Sequence, residues 1–139
     1  MRFALALALA PLTAFALGGC IEGEESPRSC ATDDRCPGEV CAADARCRPA
    51  TELRTVATSW TLNGMPATAT TCATAPTLGI GFEGASGGFL LGQDVPCETG
   101  VLIVERVPNE YDTVVMSFLA PRDAMAAIAA GNAAINFVR

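Results

Sequence analysis

The cysteines constrain the fold of this chain more than any other feature of its sequence. Four of them lie close together: Cys30, Cys36, Cys41 and Cys47. The segment that holds them contains a single aliphatic β-branched residue, Val40, and no aromatic residue. A segment this poor in large apolar side chains cannot build a hydrophobic core, so links between its cysteines must hold it. We therefore expect residues 30–48 to form a small disulfide-rich module.

The beginning of the sequence predicts export. Arg2 precedes an apolar run that ends at Leu17 and is followed by two glycines. That order is typical of a secretory signal peptide, and the apolar run is too short for a helix that spans a membrane. Residues 1–19 are therefore predicted to be a signal peptide. An exported chain meets an oxidising environment, which favours disulfides over free thiols.

The four residues Leu17-Gly18-Gly19-Cys20 resemble the lipobox of bacterial lipoproteins. The resemblance implies that Cys20 becomes the first mature residue and carries acyl chains such as palmitate. Several acyl chains together hold a protein at a membrane, whereas a single chain binds only reversibly. In this family Ile21, the residue after the lipidated cysteine, favours the outer membrane over the inner one. The resemblance thus predicts a lipid-anchored protein of the cell envelope, with an ordinary cleaved signal peptide as the alternative.

Besides Cys20 there are six cysteines, an even number that predicts three disulfides in an exported chain. Cys72 and Cys97 lie apart from the cluster and are expected to pair with each other. The spacing of the other four resembles small exported modules of the form C-x-x-D-x-x-C-P-x-G-x-x-C. The matching residues are Cys30, Asp33, Cys36, Pro37, Gly38, Cys41 and Cys47. The resemblance implies that Cys30 pairs with Cys41 and Cys36 with Cys47.

The rest of the chain divides into three parts. Residues 20–29 are acidic and polar and predict a flexible tether, and residues 49–53 are expected to be a linker. In residues 54–139, β-branched and aromatic residues recur in short runs between turn residues, which favours an antiparallel β-sandwich. The predicted strands are 54–62, 77–82, 89–95, 101–107, 111–119 and 133–138, with a turn at Asn63-Gly64. Residues 121–130 are compatible with a short helix or a loop. The predicted fold is therefore mainly β, a disulfide-rich module followed by a sandwich.

Residues 54–139 resemble the prealbumin-like and carboxypeptidase-regulatory-like β-sandwiches of exported bacterial proteins. The residues that carry the resemblance are Trp60 before Asn63-Gly64, Cys72, the segment 97–100 and the segment 107–111. It implies that the disulfide between Cys72 and Cys97 joins neighbouring strands or the two sheets. A lone tryptophan on a strand is usually part of a sandwich core, so we expect Trp60, and also Tyr111, to be buried rather than to stack on a ligand.

The sequence predicts no metal site and no cofactor. The cysteine spacings of the module differ from the C-x2–4-C pairs of structural zinc sites. Its acidic residues, Asp33, Asp34, Glu39 and Asp44, lack the ordered spacing of a calcium loop. The segment 79–84 matches the dinucleotide pattern G-x-G-x-x-G, but more glycines and a predicted strand follow it where a helix is required.

The sequence also predicts that the chain is not an enzyme and has no catalytic residues. The segment 84–88 matches the nucleophile pattern G-x-S-x-G around Ser86, yet the chain contains no histidine and no lysine to act as its base. We therefore expect a glycine-rich hairpin loop there. Acidic residues remain available, but no spacing pairs them as in a glycosidase: Glu83, Asp94, Glu98, Glu105, Glu110 and Asp112.

These observations favour a non-enzymatic binding or scaffolding module of the cell envelope. Fifteen acidic residues against nine basic ones give a net charge of −6, which argues against a nucleic-acid partner. The expected partners are the membrane, through the lipid on Cys20, and another envelope protein or a polysaccharide. One alternative is a protease inhibitor that presents the loop Asp44-Ala45-Arg46, with Arg46 as the specificity residue. A less favoured alternative is a hydrolase that uses two carboxylates.

Overall fold

The computed structural model of the chain describes residues 29–90, 92, 94–118 and 124–138. The predicted signal peptide, the lipidation site Cys20 and residues 20–28 of the predicted tether lie outside the described residues. The described part is mainly β, with a small two-stranded sheet and two larger sheets that pack face to face. This confirms the predicted fold class. Among the described residues, no helix has the length and apolar character needed to cross a membrane.

The disulfide-rich module contains a short hairpin formed by β1 (Val40–Cys41) and β2 (Cys47–Arg48), preceded by a 3-10 turn at Asp33–Arg35. Its disulfides join Cys30 to Cys41 and Cys36 to Cys47, the pairs that the resemblance implies. Three of these cysteines are buried and form the interior of the module. The cysteine sulfurs thus take the place of the apolar core that the segment cannot build.

One of the two larger sheets is built around β3 (Leu53–Leu62). It also contains β4 (Met65–Pro66), β8 (Val101–Pro108) and β11 (Asn132–Phe137). β3 pairs antiparallel with β4 and β8, but parallel with β11. The predicted turn at Asn63-Gly64 joins β3 to β4, and both of its residues have positive φ, 52° and 75°. The parallel pair was not predicted, because a local residue pattern does not specify the direction of the partner strand.

The second large sheet is built around β5 (Thr77–Gly84). It also contains β6 (Phe89–Leu90), β7 (Asp94–Pro96), β9 (Tyr111–Ser117) and β10 (Ala124–Ala127), all paired antiparallel. The single strand predicted at 89–95 is divided into β6 and β7, with Gly92 between them. A Cβ atom on Gly92 would lie 1.2 Å from the carbonyl oxygen of Ile80, so only glycine fits there. Within the alanine-rich segment, residues 124–127 form the strand β10 and residues 128–130 form a turn that leads into β11, so a strand stands where a helix or a loop was considered.

The core lies between the two large sheets and follows the alternation of their strands. The fully or nearly buried residues include Val56, Trp60 and Leu62 on β3, Ile135 and Phe137 on β11, Leu78, Ile80 and Phe82 on β5, and Val114 and Met116 on β9. Trp60 is 3% exposed and Tyr111 is 7% exposed, so both belong to the core as predicted. Alternate residues of β3 therefore point away from this core.

The third disulfide joins Cys72 to Cys97, and both residues are buried. Cys72 lies in the connection from β4 to β5, and Cys97 lies in a 3-10 turn between β7 and β8. Each of these connections passes from one large sheet to the other. The bond therefore links two crossovers at one end of the sandwich, whereas the resemblance implied a link between neighbouring strands or between the sheets.

Candidate functional site

Arg106 lies at an irregularity of β8 that determines where the disulfide-rich module contacts the sandwich. The register between β3 and β8 shifts between Arg54 and Val56, so that β8 carries one extra residue. Arg106 has a φ of 58°, a value that is uncommon for a residue with a side chain. The carbonyl oxygen of Arg106 accepts a hydrogen bond from the N–H group of Ala43 in the module, at 3.0 Å. The β-bulge therefore provides a backbone contact between the two parts.

Side-chain contacts of Asp33 reinforce this junction. The Arg106 guanidinium donates to the Asp33 carboxylate at 2.6 Å and to the carbonyl oxygen of Cys41 at 3.4 Å. The N–H group of Cys41 also donates to Asp33, at 2.8 Å. The hydrogen bond from Cys41, followed by that from Arg106, lowers the pKa of Asp33 below its ordinary value of 3.8. The ion pair itself is half exposed, so it orients the module more than it stabilises it.

A second arginine links the module to the turn between β8 and β9. Arg48 contacts Asp44 at 2.6 Å within the module and Glu110 at 2.8 Å in the turn. Partial burial opposes the charge of Arg48, but the hydrogen bonds that its guanidinium donates to Asp44 and Glu110 outweigh this effect and raise the pKa of the guanidinium. Asp44 is nearly covered by this contact, with 6% of its side chain exposed. The module is thus attached to the sandwich by one arginine from each side.

Tyr111 and Trp60 are held by the fold rather than presented to a ligand. Burial, together with the charges of Asp44 and Glu110, raises the pKa of Tyr111 above 10.0. The Trp60 indole N–H donates to the carbonyl oxygen of Cys97 at 2.8 Å. This bond connects the core directly to the third disulfide. Both aromatic side chains are therefore structural in the observed arrangement.

The loop proposed for protease inhibition forms a tight turn. The N–H group of Ala45 donates to the carbonyl oxygen of Ala42, and Ala45 has a φ of 58°. The carbonyl oxygen of Arg46 accepts from the N–H group of Ala42 at 2.9 Å, and its N–H group donates to Asp44. A segment that a partner recognises by strand addition must be extended with free backbone groups. The geometry of this loop therefore favours a structural turn, although the Arg46 side chain is exposed.

The three cysteine sulfurs of Cys30, Cys36 and Cys47 lie within 4.8 Å of one another. Within the described residues, no other group of three potential metal ligands lies so close together. All three sulfurs belong to disulfides, and a metal ligand must be a thiolate. Two of the acidic residues considered for calcium, Asp33 and Asp44, have arginine partners instead. The cluster is therefore the packed interior of the module.

The glycine-rich segment 84–88 is a hairpin loop between β5 and β6, as predicted. The N–H group of Gly84 donates to the carbonyl oxygen of Gly88 at 2.9 Å, and Gly87 donates back to Gly84 at the same distance. Gly87 has a φ of 83°, which a residue with a side chain rarely adopts. The loop places Ser86 on the surface, at the tip of the hairpin.

A surface that the sequence did not reveal lies on the side of β3 that points away from the core. We call it the outer face and define it by the outward residues Ala57, Ser59, Val101, Ile103, Asn132 and Ala134. A shallow depression of about 470 Å³ lies across it, and none of the described residues that line the depression is charged. Val101 and Ile103 are 50% and 62% exposed, high values for aliphatic side chains. The outer face is thus a flat, uncharged surface with an apolar margin.

The residues of the outer face are distant in the sequence, so a local residue pattern does not reveal this surface. The small residues of β3 recur at alternate positions, and this pattern was the one sign in the sequence that β3 has an open outer side. Their cross-strand neighbours come from β8 and β11, Ile103 opposite Ala57 and Ala134 opposite Ser59. The surface exists only once these pairings are formed.

Comparison of the chain with protein-family models, with curated proteins and with solved structures found no significant match. The resemblances to lipoproteins, to four-cysteine modules and to prealbumin-like sandwiches therefore depend on the residues given above for each.

Proposed function

We propose that this chain is a lipid-anchored protein of the cell envelope that acts as a non-enzymatic binding or scaffolding module. The proposal combines the lipobox-like residues that end at Cys20 with the outer face of the sandwich. The outer face is the observation that carries the binding role. Exposed apolar side chains grouped on a flat, uncharged surface are typical of protein contact sites.

We further propose that the partner is another envelope protein, with a polysaccharide as the alternative. Trp60 and Tyr111, the two side chains considered for stacking on a sugar, are both buried. The outer face offers small side chains, the hydroxyl group of Ser59 and the exposed Val101 and Ile103 instead. Such a surface fits a flat protein surface, because small side chains let a second backbone approach closely.

The binding role is tested by filling the depression. Ser59 lines the depression, whereas Ser86 is an exposed serine on a hairpin of the other sheet. Full-length Ser59→Arg and Ser86→Arg chains are expressed in the bacterium that naturally makes this protein. They are cross-linked on intact cells and recovered for mass spectrometry. We expect Ser59→Arg to lose the partner that the original chain captures, and Ser86→Arg to retain it. Equal capture by both variants would contradict a site on the outer face.

The anchor is tested separately with Cys20→Ser. We expect the original chain to fractionate with membranes and to give a Cys20 peptide whose mass includes the acyl groups. The Cys20→Ser chain should appear in the soluble fraction. If both chains remain in the membrane fraction without a lipid mass, the lipoprotein proposal is wrong. A captured polysaccharide that survives protease treatment would replace the protein partner in the proposal.

A further inference from the structure

β8 is paired along one edge only and is the longest such strand in the described part of the chain. The backbone N–H group of Trp60 donates to the carbonyl oxygen of Gly100, just before β8 begins. Because residues of an antiparallel pair alternate in hydrogen bonding, Leu102 and Val104 turn their backbone groups toward β3. Val101, Ile103 and Glu105 therefore turn theirs toward the opposite, open edge.

This open edge lacks most of the features that usually protect a sheet edge. Residues 101–105 contain no proline and no lysine, and the bulge occurs only beyond them, at Arg106. Ile103, in the middle of the segment, is 62% exposed. The module contacts the strand at Arg106 through Ala43. An extended, apolar edge of this kind is a template for another strand.

We propose that β8 pairs antiparallel with β8 of a second copy of this chain, with the two-fold axis at Ile103. In this register Ile103 faces its own copy, and Val101 faces Glu105 of the second chain. Val101, Ile103 and Glu105, whose backbone groups point to the open edge, then lie opposite residues of the second chain whose backbone groups also point to that edge. Each opposed pair exchanges two hydrogen bonds, which gives about six between the strands. An axis at Leu102 would place Glu105 of each chain opposite the 3-10 turn of the other chain. An axis at Val104 would place Val101 of each chain opposite the bulge. Either shift loses two of these bonds.

The side chains of β8 agree with this register. On the inner side Leu102 meets Val104 of the other chain, and both are partly buried residues that pack at the margin of the core. On the outer side the exposed Ile103 side chains cover each other. Glu105 lies opposite Val101, so the carboxylates of the two chains do not face each other. The dimer would join the two outer faces into one continuous surface, and it requires neither the lipid nor the envelope partner of the proposed function.

A cysteine at the axis tests the register directly. Directly opposed residues that exchange hydrogen bonds have Cα atoms about 5.5 Å apart, a distance that a disulfide spans. The test uses the full chain with Cys20→Ser, so that the introduced thiol is the free one. We expect Ile103→Cys to form a covalent dimer under mild oxidation, and Val101→Cys, which faces Glu105, to remain monomeric. Equal cross-linking of the two variants, or none of Ile103→Cys, would overturn the proposed axis.

Sedimentation equilibrium tests association without a cross-link. The Cys20→Ser chain should reach twice the monomer mass as its concentration rises, while Ile103→Lys and Ile103→Glu should each remain monomeric. A mixture of these two variants should regain the dimer mass, since opposite charges then meet at the axis. Val138→Lys, at an 81% exposed position outside β8, is the control and should dimerise like its parent. A parent chain that stays monomeric at every concentration refutes the proposal, whatever the outcome of the lipid and capture experiments.

Discussion

At the scale of single residues, Trp60 and Tyr111 can each be followed by its own spectroscopic signal, because the chain has one tryptophan and one tyrosine. Trp60 lies in the core and bonds to Cys97, while Tyr111 lies where the module approaches the sandwich. Their burial followed from sequence, since large aromatic residues on strands favour the core. Their polar partners did not follow, because a carbonyl oxygen on a distant turn leaves no trace in the local pattern.

Trp60→Phe should lower the free energy of unfolding by about 1–3 kcal/mol, because it removes the indole hydrogen bond to Cys97 and leaves a smaller side chain in the core. Urea denaturation followed by circular dichroism measures this change. The control is Phe89→Leu, at a side chain that is 49% exposed, which should alter stability much less. Equal stability of Trp60→Phe and the original chain would show that the indole bond contributes nothing.

Tyr111 should titrate above 10.0 in the folded chain, because burial and the nearby carboxylates oppose its ionised form. The tyrosine of the unfolded chain ionises near pH 10, so unfolding becomes more favourable as the pH rises above that value. Stability should therefore be unaffected below about pH 10 and decline above it. Absorbance at alkaline pH measures the titration of Tyr111. The chain contains no lysine, so no lysine side chain titrates in the same range and changes stability there. In Tyr111→Phe the alkaline decline should be smaller; an identical decline would assign it to other groups.

At the scale of elements, short apolar runs located most strands, and turn residues located the ends of several. They did not reveal that the segment 89–95 is divided, because the division results from the close approach of Gly92 to Ile80. They also left the alanine run open, since alanine favours helices in isolation and only pairing with β9 makes β10 a strand. Tertiary pairing overrides a weak local preference.

Replacing Cys72 and Cys97 together by serine should lower the free energy of unfolding by about 3 kcal/mol. Their bond spans 25 residues and connects two buried crossovers of the sandwich. Trp60 fluorescence during urea denaturation reports the change, because the indole bonds to the Cys97 carbonyl.

The matched comparison replaces Cys36 and Cys47 together by serine. That bond lies within the module, at a sequence separation of 11. We expect this variant to expose the module to proteolysis while the urea transition of Trp60 changes less than in the sandwich variant. If both variants shift the Trp60 transition equally, the module and the sandwich unfold as one unit.

At the scale of the whole molecule, the attachment of the module to the sandwich should weaken in acid. The pKa of Asp33 is lowered in the folded chain, first by Cys41 and then by Arg106. A carboxyl group whose pKa is lowered by folding stabilises the folded state at pH values above its ordinary pKa of 3.8. This stabilisation is lost as the pH falls through the lower pKa of the folded chain. Protease sensitivity of the module between neutral pH and pH 2 measures the loss, with a protease that is active at each pH and with all variants compared at the same pH.

Asp33→Asn should remove most of this acid dependence and make the module more sensitive already at neutral pH. Asp34→Asn, at the exposed neighbouring position, is the matched control and should behave like the original chain. An unchanged acid response of Asp33→Asn would mean that Asp33 does not govern the attachment. The contacts of Arg48 with Asp44 and Glu110 would then be the next to test.

The amino-acid sequence by itself located most of the longer strands, set four clustered cysteines apart from the other two, and indicated that Trp60 and Tyr111 are buried. These features depend on neighbours along the chain, so that alternation, turn residues and cysteine spacing express them. Only the tertiary structure decided that β11 runs parallel to β3, that Arg106 joins the module to the sandwich, and that β8 pairs along one edge within the described part of the chain. Each of these depends on which distant segments meet. That choice is made by the packing of the whole core, and a local pattern does not contain it.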